Sequence, residues 1–402
     1  MVEAWGSSAK PFDVEHTDRD LPPTMIETVL SRLEQRLGGR LYAKQRLGIE
    51  TDHEAQIFGQ GLTFFHIENW YSIHSVIRTL FKLTGLYWRG QANAARVQVR
   101  RNDIRCKKLP PAFDGFTLLH MTDFHADMND GAMRRLEALL PSLSYDLCVL
   151  TGDYRGATFG KFDDALARIR RVLARTKGPV YGVLGNHDTI RMVPDLETMG
   201  IRMLLNECAP IVRGSATIYL AGIDDAHFYR VDNIEKAASG IPHEAFSMLL
   251  SHTPEIYRQA AHAGFDLLLS GHTHGGQICL PGSIPLTLGS VLPRRFGAGA
   301  WQYHNMAGYT STGVGSSIVP VRINCLPEIT LHCLRRAEED GASVGGGRAI
   351  PARKTAAKIV FGPQKRSRKP PRCPARLMTA RIGKQAEERA IPESDRAQLL
   401  CC

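Results

Sequence analysis

No stretch of this 402-residue chain is apolar for the roughly 18 residues that a membrane-spanning helix requires. The nearest, residues 62–88, is broken by Glu68, His74, Arg78 and Lys82. The first residues lack a basic segment followed by an apolar run, so no secretory leader is expected. Cysteine is irregular: nine residues, at 106, 148, 208, 279, 325, 333, 373, 401 and 402, form no C-x-x-C pair. That argues against a disulfide framework or a thiolate zinc site, and reduced thiols in a cytoplasmic protein are expected. Aromatics make up 7% of the chain, and residues 335–402 hold one, Phe361, among sixteen Lys or Arg and seven Asp or Glu. Base stacking needs several aromatics along a basic groove, so no specific nucleic-acid partner is expected. That tail, with Gly345–Gly347, Pro363, Pro370 and Pro371, reads as disordered. It carries most of the net charge of +10, which leaves the remainder close to neutral.

Metal-binding side chains, by contrast, are plentiful, in five short segments: Asp123-Phe124-His125, Gly152-Asp153, Gly185-Asn186-His187-Asp188, Ser251-His252-Thr253 and Gly271-His272-Thr273-His274. Each follows a run that reads as a strand. Carboxylate, amide and imidazole donors without cysteine suit Mn, Fe or Zn. A set this long can fill two sites, and two cations a few ångströms apart suit in-line displacement at phosphorus. The glycines before Asp153, Asn186 and His272 fit sharp turns at strand ends.

The order D-x-H, G-D, G-N-H-D, H, G-H-x-H between Asp123 and His274 resembles the calcineurin-like metallophosphoesterases, over roughly residues 114–336. The resemblance implies an α/β fold of four layers, α-β-β-α, in which two mixed sheets pack together between helices. It implies two divalent ions, Mn2+ first, with Fe or Zn as alternatives. Asp123, His125 and His274 would hold one ion, Asn186, His252 and His272 the other, and Asp153 would bridge them. His187 would protonate the leaving oxygen, with Asn186 steadying the phosphate and Asp188 orienting His187. The later Gly-Val-Gly…Pro…Arg…Pro-Glu-Ile pattern is similar to a branch of bacterial membrane-associated phosphodiesterases that includes UDP-2,3-diacylglucosamine pyrophosphatases of lipid A synthesis. Members often begin with a transmembrane helix, and this chain has the interrupted segment 62–88 instead.

Composition divides the chain into an irregular extension (1–61, with one helix expected over Thr24–Leu37), an amphipathic aromatic helix and basic linker (62–109), a catalytic domain (110–336) and the disordered basic tail (337–402). Trp70, Ile73, Ile77, Leu80 and Phe81 recur at helical spacing, and Arg89, Arg96, Arg100, Arg101, Arg105, Lys107 and Lys108 follow. An aromatic amphipathic helix beside a basic run suits an in-plane anchor on the inner membrane face. The other reading packs that face on the domain, with Val97–Arg105 as an edge strand. A separate anchor would be removable with residues 1–90, leaving catalysis intact.

Within the domain, strands are expected over Phe116–Met121, Asp146–Thr151, Val180–Leu184, Ile218–Ile223, Phe246–Leu250 and Asp266–Leu269. Helices are expected over Met133–Leu140, Ala165–Leu173 and Pro254–Ala261. Tyr154, Arg155, Arg294 and Arg295 are candidate phosphate contacts, the guanidinium fork matching anionic oxygens. Asp224-Asp225, after a strand, reads as a capping turn or as a lining of the site, and His120, His227, His262, His304 and His332, lacking partner spacing, read as ordinary histidines. The loop Ile278–Phe296 is unusually apolar, which suits an acyl chain beside a phosphate, or packing on the second sheet. The expected function is hydrolysis of a phosphodiester or pyrophosphate, on a lipid-linked substrate such as UDP-2,3-diacylglucosamine. The alternatives are a soluble phosphodiesterase acting on nucleotides and a non-catalytic adaptor, the latter requiring broken ligands. None is broken.

Overall fold

Four short runs set the architecture: LLHM, LCVL, SMLL and LLLS, every residue of which is buried. Strands apolar on both faces belong in the middle of parallel sheets covered on both sides. The computed structural model describes residues 31–56, 78–317 and 319–337. It has two six-stranded mixed sheets. The first runs in the order β1 (Gln98–Cys106), β14 (Glu328–Arg336), β2 (Thr117–Met121), β3 (Leu147–Leu150), β4 (Val180–Gly182), β5 (Ile201–Met203). The second runs β12 (Gly299–Tyr303), β13 (Met306–Thr310), β9 (Leu267–Ser270), β8 (Ser247–Leu250), β7 (Ala216–Gly222), β6 (Glu207–Arg213). A short hairpin, β10 (Cys279–Leu280) with β11 (Ile284–Pro285), stands apart.

Leu118, Val149, Val183, Leu220, Met248, Leu250, Leu267 and Leu269 fill the space between the two sheets. Outside the first sheet, helices Asp130–Leu139 and Asp163–Leu173 press Met133, Leu136, Ile169 and Val172 onto Leu119, Met121, Cys148 and Leu150. Outside the second, Ala237, Tyr257 and Ala260 pack on Ala221, Leu249 and Leu268. These are the four layers implied by the resemblance. Strands β2 to β5 run parallel, as do β7, β8 and β9, so the ends of β2, β3, β4, β8 and β9 point the same way within their sheets.

The basic run after residue 94 is the edge strand β1, parallel to β14 with Gln98 opposite Glu328. Its Arg100, Arg101 and Arg105 are exposed, and Arg100 Nε lies 2.6 Å from Glu328 Oε2. Charges on an edge discourage pairing with another chain. Leu80, Leu83 and Trp88 are exposed, and residues 62–77 and 338–402 lie outside the described residues. No described helix is long and apolar enough to cross a membrane.

The amino-terminal segment differs from the irregular extension expected for it. Residues 31–37 are helical, within the helix expected over Thr24–Leu37, whose first residues lie outside the described ones, and α1 (Arg40–Gln56) adds 17 residues of helix where irregular chain was expected. Leu33, Leu37 and Ala43 are buried in the cluster that covers the first sheet. Arg36 fastens this segment, donating to Glu207, Glu197 and the Met203 carbonyl.

Candidate metal centre

Each of the five segments lies beyond the carboxyl end of a parallel strand, where open α/β sheets present their functional groups. Asp123 and His125 follow β2, Asp153 follows β3, Asn186 and His187 follow β4, His252 follows β8, and His272 and His274 follow β9. Asp123, His125, Asp153, His272 and His274 all have positive φ, between 38° and 69°. Asp, Asn and His tolerate this left-handed region better than other side-chain-bearing residues, and such strain gathers at functional sites. Two glycines permit the approach of the turns. A Cβ on Gly185 would collide with Asp153 Oδ1, and one on Gly271 with Asp123 Oδ2.

Asp123, His125 and His274 bring donor atoms within 4.8 Å of one another; so do Asp123, Asp153 and His252, and so do His125, Asp153 and His187. His125 Nε2 lies 3.0 Å from His274 Nε2. Asn186 Oδ1 lies 2.9 Å from both His252 Nε2 and His272 Nδ1. Asp153 stands between the groups, its Oδ2 lying 3.2 Å from His252 Nε2 and 3.6 Å from His125 Nε2. All seven side chains are buried.

The donor set fits divalent cations, and the tautomers show why. A carbonyl oxygen only accepts, so a ring nitrogen facing one must carry the proton. His125 Nδ1 faces the Arg155 carbonyl at 3.1 Å, and His252 Nδ1 faces the Thr151 carbonyl at 2.8 Å. In neutral rings both Nε2 atoms therefore present lone pairs. His252 Nε2 then meets Asn186 Oδ1 and Asp153 Oδ2, lone pair against lone pair. Only a proton or a metal ion resolves that arrangement. His272 turns its Nδ1 to the cradle and lacks such a backbone anchor, its Nε2 being buried with no hydrogen-bond partner. Such carbonyl-anchored imidazoles are a common support for metal-binding histidines.

Without metal, protons do this work. Burial opposes the charge of Asp153, but facing His252, His187 and His125 hold its carboxyl well below the usual carboxylate range. Burial likewise opposes the charge of His252, yet Asp153 pushes it up to about 10. Burial raises Asp123 to about 6 and lowers His125 to about 4. Desolvation also holds His272 and His274 well below the ordinary histidine value.

His187 stands at the edge of this cradle, its ring 5.0 Å from that of His125 and its Nδ1 3.0 Å from Thr158 Oγ1. Asp188 follows it in the chain. Its carboxylate accepts from the amides of Gly185, Asp153, Tyr154 and Arg155, tying the Asn186 turn to the Asp153 turn. The expected phosphate contacts fare differently. Arg155 is buried, and its Nε, Nη1 and Nη2 donate to the carbonyls of His187, Gly160 and Thr158, bracing the loop. Tyr154 is buried and stacks on Phe124. Arg294 and Arg295 are exposed in a single 3-10 turn, where Arg295 covers the Phe296 ring at 4.7 Å. Asp225 caps its turn, accepting from the amides of His227, Phe228 and Tyr229.

Sequence reading passed over three residues here. His227 brings its ring centroid to 4.2 Å from that of His272, with Nδ1 2.8 Å from Glu255 Oε2. Glu255 also accepts from the Val291 amide, so it joins the apolar loop to the metal cradle. Arg322, fully buried, donates to the carbonyls of His274, Thr312 and Gly315. No metal-ligand spacing marks His227 or Glu255, and the Gly-Val-Gly…Pro…Arg…Pro-Glu-Ile pattern that contains Arg322 does not reveal its approach to His274.

Residues 116–276 match the calcineurin-like phosphoesterase family. The chain carries a calcineurin-like metallophosphoesterase domain. Its chemistry is that of a metal-dependent phosphoester hydrolase. The domain is similar to the transmembrane protein with metallophosphoesterase domain of Danio rerio, 32% identical over 269 residues, which cover 62% of this chain and 60% of that protein. The uncharacterized metallophosphoesterase YkoQ of Bacillus subtilis is 28% identical over 255 residues, 61% of this chain and 93% of its own length. Phosphodiesterase YaeI of Escherichia coli is 28% identical over 197 residues, 46% and 69% of the two chains. The metallophosphoesterase domain accounts for the five segments. The match to the family begins at residue 116, and α1 lies outside it.

Proposed function

We propose that this protein hydrolyses a phosphodiester or pyrophosphate on a lipid-linked substrate, such as UDP-2,3-diacylglucosamine, at the inner membrane face. The observation that carries the reaction class is the cradle itself: seven buried donors from five strand ends, with the His252 Nε2 lone pair facing those of Asn186 and Asp153. Asp123, His125 and His274 would hold one divalent ion, Asn186, His252 and His272 a second, with Asp153 shared. Such ions, Mn2+ by preference, supply charge neutralisation at phosphorus and an acidified water. The chain's own residues do the rest. Asn186 and His187 orient the phosphate oxygens, and Thr158 holds His187 Nδ1 so that Nε2 faces the reacting centre. His187 delivers a proton to the departing oxygen, for which imidazole is suited near neutral pH.

The loop after the last donor supports the lipid part of this reading. Leu280, Ile284, Leu286 and Val291 are 49%, 50%, 57% and 94% exposed. Water-facing aliphatic side chains beside a phosphate site favour a substrate with an acyl chain. Leu80, Leu83 and Trp88, also exposed and followed by a basic edge strand, favour an anionic membrane surface. Parallel incubation with Mn2+ and UDP-2,3-diacylglucosamine, cyclic nucleotides or simple phosphomonoesters tests the proposal. Preferential cleavage of the acylated pyrophosphate supports it. Preferential cleavage of the cyclic nucleotides replaces the lipid reading with the soluble one.

A further inference from the structure

Arg46 of α1 is buried to 0% exposure more than sixty residues before the first metal-site segment. Its Nη2 donates to the Asp188 carbonyl at 2.8 Å, within the Gly185–Asp188 turn. Its guanidinium lies 3.3 Å over the Tyr229 ring, with Nε 3.2 Å from Glu50 Oε1 and 3.6 Å from Asp224 Oδ2. Glu50, one turn on, grips the same turn from beyond. It accepts from Thr189 Oγ1 at 2.7 Å and from the Ile190 amide at 2.8 Å.

This is a costly way merely to fasten a helix. Arg46 Nε and Nη1 and Asp224 Oδ2 are buried without a properly aligned hydrogen-bond partner, and buried charges stabilise poorly unless their hydrogen bonds are complete. Arg36 already fastens the preceding segment with well-made bonds at the half-exposed surface. What Arg46 and Glu50 reach is the backbone that carries Asn186, His187 and Asp188. The Asp188 carboxylate, in turn, holds the amides of Asp153 and Tyr154.

We propose that Arg46 and Glu50 are positioning residues of the metal site: α1, outside the matched family region, fixes residues 188–190 and thereby sets where Asn186 and His187 stand. The inference rests on the functional reading above for its kinetics, though not for its metal-binding consequence. Displacing a reacting group by about 1 Å costs on the order of 10²-fold in rate, and a loosened Asn186 weakens the ion it would hold.

The test uses full-length wild type, Arg46→Lys, Glu50→Ala, Glu50→Gln and, as a structural control, Arg36→Gln. Hydrolysis of bis(p-nitrophenyl) phosphate with Mn2+, Mn2+ retained through gel filtration and melting temperature are measured for each. Arg46→Lys and Glu50→Ala should lower kcat by about 10–100-fold with KM within about twofold, and Mn2+ content should fall by about half. Glu50→Gln, which keeps an acceptor for the Ile190 amide, should recover most of both. Arg36→Gln should lower the melting temperature while sparing kcat and Mn2+ content. The proposal is overturned if folded Glu50→Ala keeps wild-type kcat and metal, or if Arg36→Gln loses them to the same degree. Should Arg46→Lys not fold, the Glu50 pair decides. If wild type cleaves no diester, the functional reading fails and Mn2+ retention alone judges α1.

Discussion

Replacing Asp153 by Asn removes the one carboxylate that faces both halves of the cradle, and the consequences differ with and without metal. In the metal-free protein Asp153 Oδ2 lies 3.2 Å from His252 Nε2. At an effective dielectric of about 20 that separation corresponds to roughly 5 kcal/mol of attraction before desolvation is subtracted. Breaking a buried pair by removing one partner costs about 3–5 kcal/mol. For a domain of this size each kcal/mol shifts the midpoint by about 2–4 °C, so the chelated variant should melt on the order of 6–20 °C below wild type near pH 6.5. The pH dependence gives the sharper signature. His252 is raised to about 10 from an unfolded value near 6.5. Its contribution is therefore complete below about pH 6.5 and is lost as pH rises toward 10. Asp153 is depressed, so its contribution holds above the unfolded carboxylate range and is lost only in strong acid. Wild type in chelator should accordingly lose stability between pH 6.5 and 10, and Asp153→Asn should show a shallower loss across that interval, Asp123 and Asp225 still raising His252. Thermal melts monitored by circular dichroism in EDTA at four or five pH values would show it. An Asp153→Asn protein as stable as wild type at pH 6.5, or with the same alkaline slope, would refute the pairing.

If Asp123, raised to about 6, and His252, raised to about 10, hold metal as proposed, they must first lose their protons, so metal binding releases protons. Mn2+ affinity by calorimetry should strengthen steadily from pH 5 to 8, and a pH-independent affinity would remove both from the site. His187→Ala should retain its metal yet lose about 10²–10⁴-fold in kcat on an aryl diester, and loss of metal instead would make His187 a ligand. Leu280→Ser with Val291→Ser should reduce cleavage of an acylated pyrophosphate while leaving the aryl diester unchanged. Equal losses on both would make the loop structural. Leu83→Glu with Trp88→Glu should weaken binding to anionic liposomes by centrifugation, and undiminished binding would reject the anchor.

That last pair of substitutions replaces the deletion of residues 1–90 that the sequence invites. The deletion would remove α1 and, with it, Arg46 from the Asp188 carbonyl. The difference shows where sequence reading reaches and where it stops. Strand ends bearing Asp123, Asp153, Asn186, His252 and His272 were legible because fully apolar runs stop abruptly at glycine or polar residues. Helix α1 was not, since its sequence RLYAKQRLGIETDHEAQ has no apolar stripe and the most deeply buried large side chain among its described ones is an arginine. Pattern reading sends arginine to solvent. Arg155 misled for a related reason: adjacency to Asp153 suggested a phosphate contact, whereas its donors close the loop on carbonyls. The His227–Glu255 pair unites residues from separate loops whose approach only the fold creates.

Anomalous diffraction from crystals grown with Mn2+ tests the dinuclear cradle most directly. Two peaks roughly 3.5–4 Å apart are predicted, with the Asp153 carboxylate touching both, His125 and His274 on one, and Asn186, His252 and His272 on the other. A solitary peak elsewhere, or none within reach of Asp153, would contradict it.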